Sequence, residues 1–167
     1  MSDEYADLLR NGSQLDVELR RSFPAAAGDV WDALVNPERL VRWLAPVRGD
    51  LRPGGRYRID FDADDPAQQV HGTVAECRPP LHLSVSWEIH GAGTSTVTAA
   101  LAGTASGCEL RLRHDGLPEA MAAGYGAGWH AYAEALAAEL DGAAVPDWDE
   151  RWAELLPEYR RRVEAAG

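Results

Sequence analysis

Between residues 47 and 114 the chain offers six short stretches that alternate apolar and polar side chains, with no helix-length segment among them. That run limits the fold more than any other feature. Alternation at a period of two puts one face of each stretch on a core and the other in water. In RYRIDF the inward set is Tyr57, Ile59 and Phe61; in LHLSVSWEI it is Leu81, Leu83, Val85, Trp87 and Ile89; in CELRLRH it is Cys108, Leu110, Leu112 and His114. RPGG, RPP, HGAG and GTASG separate the stretches with turn-forming Gly and Pro. Links this short join antiparallel neighbours, because a parallel pair needs a long crossover. A doubly wound parallel sheet is therefore excluded.

What flanks the run completes the order. LDVELRRSF, from Leu15 to Phe23, reads as a further half-buried strand, with Arg21 on its apolar side. PAAAGDVWDALV and NPERLVRWL then predict two short helices, the second capped by Asn36 with Pro37 in its first turn. After the strands, Pro118 opens a long helix that stops at Asp141-Gly142. The expected fold is α+β: a curved, mostly antiparallel seven-stranded sheet around a long C-terminal helix, two short helices after the first strand, and an extra tail helix. Residues 1–14 read as a frayed arm or short helix, 15–141 as the domain and 142–167 as a helical extension. In that extension Trp148, Trp152, Leu155 and Tyr159 share one face, and Pro157 should kink or break the helix.

FPAAAGDVWDALVNPERLVRWLAP, LRPGGRYRIDF, HGTVAECRPPLHLSVSWE, the STVTAAL and GCELRLRH pair, and GLPEAMAAGYGAGWHAYAEALAAEL occur in this order. In this the chain resembles the helix-grip superfamily called SRPBCC, or START-like, and within it the heat-shock-protein ATPase activator homologue group. The resemblance covers roughly residues 15–141. It implies an apolar cavity between sheet and long helix and no fixed catalytic residues.

The long helix contains GYGAGWHAYAEAL, with Gly124, Gly126 and Gly128 beside Tyr125, Trp129, His130 and Tyr132. Each glycine in a helix interior costs about 1 kcal/mol relative to alanine. One reading is that the glycines remove volume on the side facing the sheet and leave a void; the other is a break in the helix with close backbone packing on the sheet. Candidate pocket-lining residues are Tyr57, Phe61, His71, Val85, Trp87, Leu112, His114, Tyr125, Trp129 and Tyr132. Trp43 reads as ordinary core. No catalytic residue is assigned: inward-facing histidines find no inward acidic partner, and His130 with Glu134 one turn on reads as a surface pair.

The absences exclude much. GYGAG lacks the third glycine of a dinucleotide loop, and a chain without lysine has no phosphate-loop lysine. Asp62, Asp64 and Asp65 lack the glycine and glutamate of a calcium loop. Cys77 and Cys108 read as reduced core thiols. No metal and no cofactor is expected. A net charge of −11 disfavours nucleic acid and anionic membrane. Arg56 and Arg58 with Arg111 and Arg113 read as an outer face balanced by Asp60 and Glu109. With no apolar run of membrane length and an acidic start, a cytoplasmic protein is expected. The expected function is binding of an apolar or aromatic small molecule. An aromatase/cyclase-like enzyme and a co-chaperone-like activator are the alternatives. The apolar tail face docks either on its own domain or on a second copy, as a homodimer.

Overall fold

The computed structural model describes residues 4–62 and 64–167. The chain runs β1 (Asp7–Asn11), β2 (Gln14–Phe23), α1 (Ala27–Val35), α2 (Pro37–Trp43), β3 (Val47–Gly49), β4 (Arg56–Asp60), β5 (Gln69–Arg78), β6 (His82–Ile89), β7 (Gly93–Thr104), β8 (Gly107–Pro118), α3 (Glu119–Asp141) and α4 (Trp148–Ala166). The strands make one curved sheet in the order β1-β2-β8-β7-β6-β5-β4-β3. Every pairing is antiparallel. The sheet has eight strands rather than seven. The additional one is β1, in the segment expected to be an arm or short helix: Asp7 to Asn11 pairs with β2 through a turn at Gly12. Its polar sequence hid it, because an exposed edge strand needs little apolar alternation.

Among the described residues β2 and β8 are the one pair of sheet neighbours distant in sequence, and α1 and α2 carry the chain from β2 to β3 at the far edge. Asn36 ends α1 and caps α2, its side chain accepting from Glu38 N at 3.0 Å. The alternation of β2 holds. Leu15, Val17 and Leu19 are buried inward, while Asp16 and Glu18 on the other face are covered by Arg20, Arg111 and Arg113, which ion-pair with them. At the end of β8 an extra residue enters opposite Asp16, with Gly116 at φ +84° donating its N–H to Asp16. This bulge reverses the phase and returns Leu117 to the core.

α3 packs on β2 and β8 on one side and on α4 on the other. That position explains its composition. A helix covered on opposite sides is apolar nearly all round, and Ala122, Ala127, Ala131, Ala133 and Ala135 are all buried. It runs unbroken from Glu119 to Asp141 and ends on Gly142 in the left-handed conformation. The tail is one continuous helix through Pro157, without the expected break. It docks on its own domain, burying Leu155 and Tyr159.

The glycines face α4. A Cβ on Gly126 would lie 2.7 Å from the Tyr159 ring, and those on Gly124 and Gly128 would meet Trp152 and Trp148. The Trp152 and Trp148 indoles donate to the Gly124 and Gly128 carbonyls at 2.9 and 3.3 Å. The helix is unbroken, and Gly124 and Gly128 do border a cavity beside Tyr125, Trp129 and Tyr132, but the contact with α4 was in neither expectation. Bare backbone is needed where aromatic rings of a second helix lie against the first.

Candidate functional site

A cavity of about 730 Å³ opens between α2, the sheet, α3 and the start of α4. From the sheet come Phe61, Val70, Trp87 and Ile89; from α3, Met121, Gly124, Tyr125, Gly128, Trp129 and Tyr132; from α2, Val41, Arg42 and Trp43; from the tail, Val145, Trp148, Asp149 and Trp152. Val41 and Val145 are among the exposed large hydrophobic side chains of the protein. The tail thus completes a wall that the sheet and α3 leave open.

The aromatic groups hold one another in place. Trp87 Nε1 donates to the Tyr125 hydroxyl at 3.1 Å. Trp129 Nε1 donates to His114 Nδ1 at 3.0 Å. Because that nitrogen accepts, the His114 proton sits on Nε2 and is donated to Ser95 Oγ at 2.7 Å; Ser95 in turn donates to the Trp87 carbonyl at 3.0 Å. Tyr132 stacks on Trp148, with centroids 5.1 Å apart, and Trp148 stacks on Trp152. Burial raises the Tyr125 and Tyr132 phenols, the latter with help from the Asp149 carboxylate, so both remain protonated donors. Tyr125 accepts from Trp87 and makes no further hydrogen bond among the described residues; the Tyr132 hydroxyl makes none there.

The ten sequence-derived candidates divide. Phe61, Trp87, Tyr125, Trp129 and Tyr132 line this cavity. Tyr57, Val85 and Leu112 line a separate apolar pocket of about 100 Å³ that shares Trp43, Trp87 and Trp129 with it. The Tyr57 hydroxyl is committed to the Ser86 carbonyl at 2.6 Å. His71 is corrected: it is exposed on the outer sheet face opposite Glu88, because Val70, Gly72 and Val74 take the inward positions. His114 is also corrected. It is fully buried behind Trp129 and Trp87, lines neither pocket, and both ring nitrogens are engaged. Burial pushes its pKa down to about 3, which leaves a neutral structural imidazole. Trp43 is buried as expected, with Nε1 on the Ala33 carbonyl at 2.9 Å, yet it also lines the cavity. Trp148, Trp152 and Val145 were not among the candidates. Their apolar helical face was legible, but which surface it covers depends on where α4 docks.

His130 is no surface residue. It is fully buried between α3 and α4, with Nδ1 2.9 Å from the Tyr159 hydroxyl, which also accepts from Ala6 N. Its Nε2 faces Glu134 at 3.3 Å without hydrogen-bond geometry. Burial, then the Arg21 cation, depresses it to about 4. Glu4, His130 and Glu134 have residue types suited to a cation. Arg151 already supplies the counter-charge, pairing with Glu134 at 2.7 and 3.0 Å and lying 3.8 Å from Glu4. The cluster clamps α4 to α3.

The outer arginines are balanced by ion pairs such as Arg58 with Asp60 and Arg113 with Asp115. Asp62 and Asp65 spend their carboxylates on local turn N–H groups. Cys77 and Cys108 are free thiols. No helix among the described residues is long and apolar enough to cross a membrane.

A curved antiparallel sheet closed over a long helix, with a cavity between them, defines a helix-grip protein. Residues 24–141 match the family described as Activator of Hsp90 ATPase homolog 1-like protein, and the chain belongs to that family. The match ends before α4. The crystal structure of CalU16 from Micromonospora echinospora is similar at 26% identity and TM-score 0.80, over 95% of this chain and 96% of that one. DynU16, from the dynemicin biosynthetic locus, is similar at 26% identity and TM-score 0.70, over 79% of this chain and 49% of that one. A Bordetella parapertussis protein encoded by BPP1335 follows at 25% identity and TM-score 0.69, over 92% and 87%. No curated protein matches the sequence.

Proposed function

We propose that the protein binds an aromatic small molecule in the cavity between sheet, α3 and α4. The observation that carries this is the wall itself: about 730 Å³ lined by eight aromatic side chains, with two protonated phenols, Tyr125 and Tyr132, whose O–H groups lack an acceptor among the described residues. Drug-sized ligands occupy cavities of roughly 300–1,000 Å³ with apolar walls and few polar groups. The two phenols inside are donors, so the ligand supplies them an acceptor such as a carbonyl, quinone or ether oxygen.

A cyclase-like reaction is the second reading, favoured by the similarity to DynU16 from a biosynthetic locus. It has fewer groups to work with than the sequence offered. The His114 lone pair is occupied, His71 lies outside and Tyr57 is committed. Such a reaction would use Tyr125 or Tyr132 as proton donor, and replacing both with Phe would then abolish turnover.

Native mass spectrometry of freshly purified protein tests the binding reading. The expected result is a co-purifying molecule, lost in a variant with Trp129→Leu and Trp148→Leu. A protein free of small molecules that also leaves N-phenyl-1-naphthylamine fluorescence unchanged would sink it.

A further inference from the structure

The small pocket behind the cavity defines the far end of the ligand, on the reading just given. It holds about 100 Å³ between the inner sheet face, α1, α2 and α3. Every residue that lines it is apolar or aromatic, among them Tyr57, Val85, Val97, Ala99 and Leu112. The few polar atoms on its walls are already used. The Tyr57 hydroxyl donates to the Ser86 carbonyl. The indoles of Trp43, Trp87 and Trp129 donate to the Ala33 carbonyl, the Tyr125 hydroxyl and His114 Nδ1. Water finds no partner there, and an apolar void of this kind stays dry. Left empty it costs stability, because its walls forgo the contacts that a filled space provides. A polar ligand group would be stranded in it, so its natural filling is hydrocarbon.

Four side chains, Trp43, Leu44, Trp87 and Trp129, line both the pocket and the large cavity and so form the partition between them. The three indoles are pinned by the hydrogen bonds just given. Leu44 is not. It is the half-buried residue that ends α2, and its aliphatic side chain changes rotamer with no hydrogen bond to break. Leu44 is therefore the yielding member of the partition. A single file of methylenes passes a gap opened by one leucine between fixed rings; a second ring does not. On the cavity side the Tyr125 hydroxyl touches Trp87 of the same partition at 3.1 Å, so an acceptor oxygen that takes its proton stands beside the way through. We infer that the ligand is an aromatic molecule bearing an unbranched aliphatic chain: the ring system in the large cavity, an oxygen at Tyr125, and the chain reaching past Leu44 into the small pocket. A methylene needs about the 30 Å³ that a water molecule takes in the liquid, so about 100 Å³ receives a chain of about four carbons.

A series of 2-naphthyl ketones with methyl, propyl, pentyl and nonyl chains tests this. Each is titrated against N-phenyl-1-naphthylamine bound to the full chain. Affinity should rise about fourfold per added carbon as far as the pocket extends, then level off or fall between pentyl and nonyl. Ala99→Leu fills the pocket from β7 and should bring the propyl and pentyl ketones to within about twofold of the methyl ketone, whose binding also shows that the variant is folded. A second measurement needs no variant: nuclear Overhauser contacts should join the terminal methyl of the pentyl chain to the Val97 and Ala99 methyl groups. An equal rise with chain length in Ala99→Leu, a rise that continues unbroken to nonyl, or a terminal methyl without contact to Val97 and Ala99 overturns the chain inference while the aromatic cavity stands. Failure of the methyl ketone and the dye alike to bind overturns both.

Discussion

Alanine at each of the three helix glycines probes the α3–α4 contact with one added methyl group. In a helix interior each replacement gains about 1 kcal/mol from backbone propensity. What the methyl meets then decides the sign. At Gly124 it lies 3.9 Å from Trp152, and at Gly128 it lies 3.5 Å from Trp148, both ordinary contact. G124A and G128A should therefore be stabilised by up to about 1 kcal/mol. At Gly126 the methyl would sit 2.7, 3.0 and 3.3 Å from three atoms of the Tyr159 ring. That ring cannot swing aside cheaply: it is fully buried, and its hydroxyl is held by Ala6 N at 2.7 Å and His130 Nδ1 at 2.9 Å. Overpacking costs about 1–3 kcal/mol and a disrupted buried hydrogen bond a similar amount. Against the propensity gain, G126A should lose about 2 kcal/mol net. Urea unfolding followed by far-UV circular dichroism, with m values compared across the set, reads the difference. If G126A gains as much as its two neighbours, Tyr159 does not lie where described and the account of the glycines is wrong.

Truncation after Asp141 should cost several kcal/mol, since Leu155 and Tyr159 lose their burial at about 25 cal/mol per Å² of apolar area, and should abolish dye binding by removing Trp148 and Trp152 from the wall. A stable truncated domain that still binds dye at full affinity would refute the tail's role. Acid should destabilise the protein before its carboxylates protonate. His114 and His130 are depressed to about 3 and about 4 in the fold, so the unfolded chain takes up protons first. Stability is therefore full above the ordinary histidine value of 6.5 and falls with pH below it, by about 2 kcal/mol per buried histidine on reaching pH 5. Urea midpoints measured across that window check it, and a flat profile would contradict the burial of both rings. His71→Gln should alter neither stability nor binding, because His71 stands exposed on the outer face; a loss of dye affinity in that variant would place it back in the site.

Local patterns carried most of the architecture. Alternation in β2, β4, β6 and β8, turn residues between strands, the Asn36-Pro37 start and the Gly142 stop act within a few residues of chain, so strand and helix order was readable from them. So was the inward set of Trp87, Trp129, Tyr125 and Tyr132, because side-chain direction follows the period of the element. What tertiary structure decided was what each face meets. Gly124, Gly126 and Gly128 looked like a gap toward the sheet, but a glycine records only that something is near, not on which side. The partners are Tyr159, Trp148 and Trp152 on a separate helix, 20 residues or more along the chain, and no local rule joins them. His114 read as a pocket-lining residue, but Trp129 and Ser95 occupy both its nitrogens behind the wall, an arrangement that needs β7, β8 and α3 brought together. Pro157 signalled a break that packing of α4 against α3 overrode. The sequence by itself determined which faces must be covered; only the docking of α4 decided that one of the covers would also be the cavity wall.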